Sequence, residues 1–513
     1  MKTKLQFVKD KINSSDLVEK LIMVSDLKLT VMYLKNMTDR EMVDNYIVRP
    51  LMENTGDISD FKQKINKNKE NSLVEDNTGG LSHKVQKKVK ENFPLGSFSE
   101  YLCTKVITFS ECEYVSEQGA IIDNILRGNV ILFIEEGVEC ISFSATKYQE
   151  RGVTEPPTSV VINGPRAGFV EGINVNISLI RRRVCSSDLR FDELSIGRYT
   201  KTRVVIGYIN SIVDDDVVKS ITKKLSNIDI DGIIDSDYLV DYLSKSKYSF
   251  LKLVGKTEKP DVAVAKMLEG RVLILVDGSP ICLTLPFLFI EDLQASDDYY
   301  QKNYRVTLLR YLRLFGIVLA ILLPSIYVAT ESFHYKLLPT KFLVTIINSS
   351  QGLPLTPFLE VIFVIALFEI LYESSIRMPK YMGMALSIVG ALILGDTAVK
   401  AGLVSSPSVM IIALSGITIY TVPDQAGQLS LLRLFFVFLA GTLGIFGITI
   451  GILILIIYSC GIDSFGSPYF APVAPEVKND LKDGFVKVVT SDMDTRPESL
   501  NVKNKVKKNS KNK

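Results

Sequence analysis

The composition of this chain changes abruptly near residue 306. Residues 1–305 have the mixed composition of a soluble protein, whereas residues 312–462 are overwhelmingly apolar. A helix needs about 20 apolar residues to cross a bilayer, and hydrophobic stretches lie at residues 311–330, 357–373, 381–404, 408–423 and 431–460. The last stretch is either one tilted helix or two short limbs broken near Gly444–Gly447. We therefore predict an α-helical, polytopic transmembrane domain over residues 306–462, with about four to six spans.

Charges around the apolar stretches predict their orientation. Basic residues mark cytoplasmic loops, and they flank the first two stretches: Lys302, Arg305, Arg310, Arg313, Arg377 and Lys380. The N-terminal residues lack the apolar core of a signal peptide, so we expect the N-terminal domain to be cytoplasmic. Residues 463–513 form a basic tail that we predict to be largely disordered and on the same side. That placement requires an even number of crossings, four or six, and the five hydrophobic stretches leave the number open.

The N-terminal half is predicted to be a mixed α/β structure of two subdomains, since 513 residues exceed what one core supports. Subdomain 1 covers residues 1–157 and carries a flexible polar insert at 62–92; subdomain 2 covers residues 158–305. Residues 128–146 and 270–286 both read as β-hairpins, the second with an Asp277-Gly278 turn. Residues 202–210 read as a strand and 215–228 as an amphipathic helix. The two similar hairpins hint at related subdomains.

Motifs of enzymes and cofactor sites are missing from the sequence. Residues 254–257 (VGKT) resemble the end of a phosphate-binding loop, but Phe250 occupies the position of the required glycine. The six cysteines lack metal-ligand spacing and there are only two histidines, so we expect no metal and no cofactor. The acidic run Asp214–Asp216 is read as a helix cap. A net charge of +2 argues against nucleic-acid binding. We predict that the protein is not an enzyme.

Carboxylates within the apolar half have two possible roles. Charges at bilayer depth cost at least about 2.5–3.5 kcal/mol each, so they face protein or water. They either form internal ion pairs such as Asp396 with Lys400 and helix-end contacts with headgroups, or they line a cation pathway. The candidate pathway residues are Glu360, Glu369, Glu373 and Asp396. A stripe of small residues, Gly441, Gly444, Gly447 and Gly451, is predicted to serve close helix packing.

Residues 163–184, NGPRAGFVEGINVNISLIRRRV, join a rigid turn to an apolar run that ends in three arginines. Glycine permits positive φ and proline fixes φ, so Gly164-Pro165 punctuates the turn. The segment is either an ordinary loop leading into a buried element or a bend that delivers charges to a subdomain or subunit interface. The candidate interface residues are Arg166, Glu171, Arg181, Arg182 and Arg183.

Several ordered blocks resemble the GerA family of spore germinant receptors, specifically the A subunit, over about residues 12–475. They lie at residues 163–184, 201–209, 258–280, 297–300, 323–330, 368–379, 387–405 and 464–475. The resemblance implies a polytopic protein of the spore inner membrane that acts with B and C subunits to sense nutrients and start germination. It also implies a homo-oligomer, with a pentamer suspected, that forms a ligand-gated cation channel among membrane lipids.

Two other functions stay open beside the channel. The chain could be a non-conducting membrane scaffold or signalling subunit, or a component of a secondary transporter, although no inverted repeat of spans is evident. The chain departs from the family pattern at Ser159, Asn163 and Lys259, and at Lys400, where the family more often has an acidic residue. Because Lys400 removes negative charge from its helix, Glu369 and Glu373 become the better pathway candidates.

Overall fold

The computed structural model describes residues 4–24, 27–58, 98–109, 111–135, 139–146, 164–244, 249–377 and 395–508. Three features predicted from sequence lie outside these residues: the polar insert at 62–92, the positions Ser159 and Asn163, and most of the stretch 381–404. Within the described residues, the N-terminal half is mixed α/β with two sheets and the C-terminal half is helical, as predicted.

The first unit is a five-stranded antiparallel sheet in the order β1-β2-β4-β5-β3. Its strands are β1 (Leu17–Val24), β2 (Leu27–Leu34), β3 (Cys112–Tyr114), β4 (Val130–Ile134) and β5 (Glu139–Phe143). Its helices are α1 (Lys4–Lys11), α2 (Arg40–Val43), α3 (Arg49–Glu53), α4 (Phe98–Tyr101) and α5 (Gln118–Leu126), with π-helical turns at Asp44–Val48 and Leu102–Val106. The predicted hairpin at 128–146 forms as β4 and β5.

The second unit has the same strand order, β6-β7-β9-β10-β8. Its strands are β6 (Leu189–Ile196), β7 (Thr202–Ile209), β8 (Gly255–Thr257), β9 (Val272–Val276) and β10 (Cys282–Leu285). Its helices are α6 (Ile173–Arg181), α7 (Asp215–Ser226), α8 (Asp237–Leu243) and α9 (Pro260–Leu268), followed by 3-10 turns at Phe289–Leu293 and Ser296–Tyr300. Along the chain, the first helix of each unit is therefore followed by a β-hairpin, then by helices, an edge strand and one more helix, and finally by a second β-hairpin. The weak repeat in sequence corresponds to a repeated topology.

Each sheet has two buried faces, because its central strands are near-continuous apolar runs whose successive side chains point to opposite faces. In the first unit, one face packs against α2, α3 and α4, and the other packs against α1 and α5. In the second unit, one face packs against α7 and α8. Its other face packs against α6 and α9, and that core continues without a break into the helical half. The second unit is thus the one joined to the helices by apolar packing.

Among its described residues, the helical half contains five helices of 11 residues or more. They are α10 (Asn303–Ser332), α11 (Thr340–Ser350), α12 (Pro357–Arg377), α13 (Ser406–Ile419) and α14 (Ala426–Gly461). In the part of the chain that the structure describes, two helical segments, α10 and Pro423–Gly461, are long and apolar enough to cross a membrane. The predicted number of spans, about four to six, stays a prediction.

Helix α14 is a hairpin of two limbs. Gly444 has φ 62° and ψ −144°, which is not helical and interrupts the element. Gln425, just before the first limb, donates to Asp292 of the second unit, and Tyr458 in the second limb donates to Ser249 at 3.2 Å. Both ends of α14 therefore lie beside the second unit, and the tip at Gly444 lies against His334, just beyond the end of α10. Of the two possibilities for residues 431–460, the broken pair of limbs is the one that forms.

The described part of the tail, residues 463–508, is ordered against the second unit. Backbone Lys503 donates to the Ile212 carbonyl at 2.9 Å, and the Arg496 guanidinium donates to the Leu268 carbonyl at 2.8 Å. Val502 is buried and packs against Gly270. The structure differs here from the predicted, largely disordered tail. The reason is that Val502 packs on the second unit, and Arg496 and Lys503 donate hydrogen bonds to its backbone carbonyls.

Candidate functional site

The segment after Gly164 is held by residues that precede the first long helix. Gly164 has φ 124°, and a Cβ there would lie 2.7 Å from the Tyr300 ring, so the turn requires glycine. Tyr300 donates its hydroxyl to Asp261 at 3.1 Å. Backbone Phe169 donates to the Glu258 carbonyl at 2.7 Å. The family-like blocks at 163–184, 258–280 and 297–300 therefore meet in one place.

Arg181 joins the two units. The side chains of Arg181 and Asp16 are 1% and 3% exposed. They form a bidentate ion pair, with Nη2–Oδ1 at 2.7 Å and Nε–Oδ2 at 2.9 Å. Nη2 also donates to the Ser14 hydroxyl at 3.1 Å, and the guanidinium lies 5.1 Å from the centre of the Phe191 ring. Because Asp16 precedes β1 and Arg181 ends α6, this buried bidentate pair links the first unit to the second.

The other four candidate interface residues are exposed, and their interface role stays a prediction. They are Arg166, Glu171, Arg182 and Arg183. Arg183 donates to the Leu179 carbonyl at 2.9 Å within its own segment, and the Glu171 carbonyl accepts from the Gly278 amide at 2.9 Å.

A buried charge cluster lies where the second unit meets the base of α10. Asp298 is fully buried and accepts from Arg310 Nε at 3.2 Å and from Arg313 at 2.8 and 2.9 Å. The tail supplies Asp483, whose carboxylate accepts from Arg310 at 3.1 Å, and Lys487, whose ammonium donates to the Asp298 carbonyl. Sequence reasoning used Arg310 and Arg313 only as orientation signals and missed the two aspartates as partners.

A second polar contact joins the second unit to the start of α14. Asp292, 2% exposed, accepts from Gln425 Nε2 and lies 3.7 Å from Lys252 Nζ, which also pairs with Asp424 at 3.1 Å. Burial raises the pKa of the Asp292 carboxyl to about 7, against the lowering effect of Lys252. Sequence reasoning missed this group, because nothing near residue 292 in the chain signals a partner 133 residues away.

Three of the four candidate pathway carboxylates have cationic partners. Glu369 pairs with Arg433 at 2.7 Å, and Arg433 is 2% exposed. Glu373 pairs with Arg377, and Asp396 pairs with Lys400, each at 2.5 Å, across one helical turn at exposed positions. The expected Asp396–Lys400 pair therefore forms.

Glu360 differs from the other three carboxylates. It is 1% exposed and accepts from the Ser405 amide at 2.5 Å, and the described residues place no cation within ion-pair distance of it. Ser405 continues the chain of polar groups to Ser408 at 2.9 Å, and Ser408 donates to the Tyr327 hydroxyl at 3.2 Å. Sequence reasoning identified Glu360 but missed these hydroxyl groups, since serine and tyrosine in an apolar helix carry no distinctive pattern.

The glycine stripe of α14 is used for packing, mostly inside the hairpin. A Cβ at Gly447 would collide with the Leu439 carbonyl of the other limb, and one at Gly451 would lie 2.8 Å from Phe436. A Cβ at Gly441 would enter the ring of Phe358 in α12. Gly444 itself makes the turn.

Among the described residues, no group of three or more His, Cys, Asp or Glu side chains could hold a metal ion. Residues 255–257 of the VGKT sequence form the edge strand β8 rather than a phosphate-binding loop. Asp214 caps α7 by accepting from the Asp216 amide at 3.0 Å, as predicted.

A family profile and two relatives indicate the same family of proteins for this chain. A family profile described as "Bacillus/Clostridium GerA spore germination protein" matches residues 5–499. The chain is 31% identical over 501 residues to spore germination protein KA of Bacillus subtilis (strain 168), covering 96% of this chain and 85% of that protein. It is 34% identical over 385 residues to spore germination protein GerLA of Bacillus cereus, covering 75% of this chain and 78% of that protein. The crystal structure of the N-terminal domain of the A subunit of the Bacillus megaterium spore germinant receptor GerK3 aligns with 26% identity and a TM-score of 0.36, over 56% of this chain and 94% of that one.

Proposed function

The chain belongs to the GerA family of spore germination proteins, and we propose that it oligomerises as the A subunit of a nutrient receptor into a ligand-gated cation channel. The proposed site of action is the spore inner membrane, with the N-terminal half in the cytoplasm and B and C subunits as partners. A pentamer is the oligomer that the family resemblance favours. The observation that carries the channel proposal is Glu360, a buried carboxylate with hydroxyl groups around it and no paired cation among the described residues.

The pairing of the carboxylates decides which of them we assign to the ion pathway. A carboxylate already neutralised by an arginine or lysine attracts a passing cation weakly, and this applies to Glu369, Glu373 and Asp396. An unpaired carboxylate in an apolar surrounding is costly unless a cation, a proton or water compensates it. Glu360 therefore replaces Glu369 and Glu373 as the preferred pathway residue.

We also propose six passes through the apolar layer. Helix α10 leads away from the second unit and α12 leads back, since Phe358 lies near the far tip at Gly441 and Glu369 near Ser430. Arg377 ends α12 on the side of the second unit, whereas Ser405 lies at the far end beside Glu360, so these two described positions stand on opposite sides and we count one pass between them. Helix α13 and the two limbs of α14 add three passes. An even number of passes returns the chain to the side on which it started, which agrees with a tail that packs on the second unit.

The test is ion flux through the reconstituted receptor. We expect Glu360→Gln to lower nutrient-triggered cation release from liposomes that hold this chain with its B and C subunits, because the substitution removes the charge and keeps an acceptor for the Ser405 amide. Glu373→Gln is the matched control, since it changes only an exposed ion pair. Unchanged flux and selectivity in Glu360→Gln would remove Glu360 from the pathway.

The same preparation separates the channel from the other two functions. A stable oligomer that responds to nutrient without conducting would support the scaffold or signalling role. Flux that saturates with the concentration of a transported solute, rather than following the ion gradient alone, would support a transporter component.

A further inference from the structure

The C-terminal segment Asp480–Lys487 occupies a groove between the second unit and the base of α10, and we name this segment the latch. Asp483 and Lys487 insert among Asp298, Arg310 and Arg313. Gly484 packs against Ile290 of the second unit, where a Cβ would lie 3.3 Å from the isoleucine. The latch thus touches the last turn of the soluble half and the first turns of the first long helix.

Arg310 depends on the latch for most of its hydrogen bonds. The residue is fully buried, and its guanidinium makes four hydrogen bonds to acceptors. One acceptor is the Asp298 carboxylate, at 3.2 Å. The other three belong to the latch: the Asp483 carbonyl at 2.6 Å, the Gly484 carbonyl at 2.8 Å and the Asp483 carboxylate at 3.1 Å. Without the latch, a buried guanidinium would keep a single partner that it shares with Arg313.

The latch also docks without changing the charge of the cluster. Asp298, Arg310 and Arg313 together carry one positive charge, and the latch adds one carboxylate and one ammonium. The ammonium of Lys487 donates to the carbonyls of Asp298 and, at 3.4 Å, Gln301. The backbone amide of Lys487 donates to the Thr307 hydroxyl in the first turns of α10 at 3.1 Å. Docking therefore satisfies donors on both sides of the groove at no cost in net charge.

We propose that the latch is a conformational coupling element that fixes the base of α10 to the second unit, so that undocking it loosens the first turns of α10 against the soluble half. The latch differs from the rest of the tail in this respect. Residues such as Val502 and Lys503 hold the tail to the second unit alone, far along the chain from α10. The inference rests on the contacts at α10 and holds whether or not the assembled protein conducts ions.

The test is hydrogen exchange of the full-length chain in lipid nanodiscs, read by mass spectrometry for residues 480–488 and 303–312. We expect Asp483→Ala to speed exchange in both segments by about tenfold to a hundredfold, the range that follows from losing a charge-assisted hydrogen bond in a local opening. Lys503→Gln is the matched control, because it removes a tail contact to Asp215 without touching α10. The control should leave residues 303–312 unchanged.

Lys487→Met provides a second variant that keeps the length of the side chain and removes only the ammonium. It should speed exchange in the same two segments. Faster exchange of residues 480–488 with unchanged exchange of residues 303–312 in both variants would reduce the latch to a local anchor and overturn the proposal. Equal effects of Asp483→Ala and Lys503→Gln on residues 303–312 would overturn it as well. Exchange of β9 in the core of the second sheet reports whether a variant is folded.

Discussion

The buried pair between Arg181 and Asp16 makes a quantitative prediction about how the two soluble units hold together. We consider Arg181→Met, which keeps the apolar stem over Phe191 and removes the guanidinium. The substitution leaves the Asp16 carboxylate 3% exposed with only the Ser14 hydroxyl, at 2.6 Å, as a side-chain partner. Removing one member of a buried pair costs about 3–5 kcal/mol, because the remaining charge stays desolvated. We expect the free energy of unfolding of the soluble half to fall by that amount.

The assay is urea unfolding of the detergent-solubilised full-length chain. The protein has no tryptophan, so the transition is followed by far-UV circular dichroism. The matched control is Arg198→Met, which removes an arginine with the same bidentate geometry, toward Asp229, at positions 62% and 68% exposed. Because water screens and solvates that pair, the control should shift the transition very little.

A double variant tests whether the cost comes from the unpaired charge. Arg181→Met combined with Asp16→Leu leaves no buried charge, so the loss should be smaller than the sum of the two single losses. Additive single losses, or an Arg181→Met loss no larger than that of Arg198→Met, would refute the reasoning that this pair links the two units.

Three further predictions concern the contacts between the second unit and the helices. The raised pKa of Asp292 means that the folded state binds the proton more tightly than the unfolded state does. The free energy of unfolding of the wild type should therefore fall as the pH rises from roughly 4 to 7, by up to about 1.4 kcal/mol per pH unit. Asp292→Asn should lack this slope in unfolding titrations. Gly447→Ala should prevent closure of the α14 hairpin and lower the yield of folded protein, whereas Gly461→Ala, with open space around its Cβ, should not; equal yields would contradict the packing. The six-pass topology is tested in a chain whose exposed Cys185 and Cys460 are replaced by serine. Single cysteines placed at residues 351 and 494 of that chain should react with an impermeant maleimide from opposite sides of a vesicle. Labelling of both from one side would exclude that topology.

Local signals explain which elements the sequence predicted. The hairpin at 270–286 follows from the Asp277-Gly278 turn between two apolar runs, and both strands form where expected. The helix from Asp215 follows from its cap at Asp214 and its apolar face. The Asp396–Lys400 pair follows from helical spacing alone. In each case the interacting residues are close in the chain, so their pattern is visible in a short window.

Partners distant in the chain explain what the sequence did not predict. Arg181 was identified as an interface residue, but Asp16 lies 165 residues away and has no motif around it. Arg310 was counted as an orientation signal, although its acceptors at Asp483 and Gly484 come from a tail predicted to be disordered. Lysine-rich composition suggests disorder when few apolar residues are available to pack. In this tail a small number of well-placed residues, such as Val502 and Lys487, suffices for docking.

The segment at 163–184 lies between two units of the same topology that differ in how they contact the helices. Both sheets have the same strand order, yet among the described residues only the core of the second one continues into the helices. Residues 164–181 lie at the boundary where that difference matters: Arg181 reaches Asp16 of the first unit, and Gly164 packs on Tyr300, three residues before α10 begins at Asn303. Helix α6 and its preceding turn are therefore one contact route from the first unit to the helical half, beside the backbone contact of Ser15 with Phe191 in β6. The direction of that turn depends on Gly164, whose φ of 124° other residues rarely adopt, and on Pro165, whose ring fixes φ.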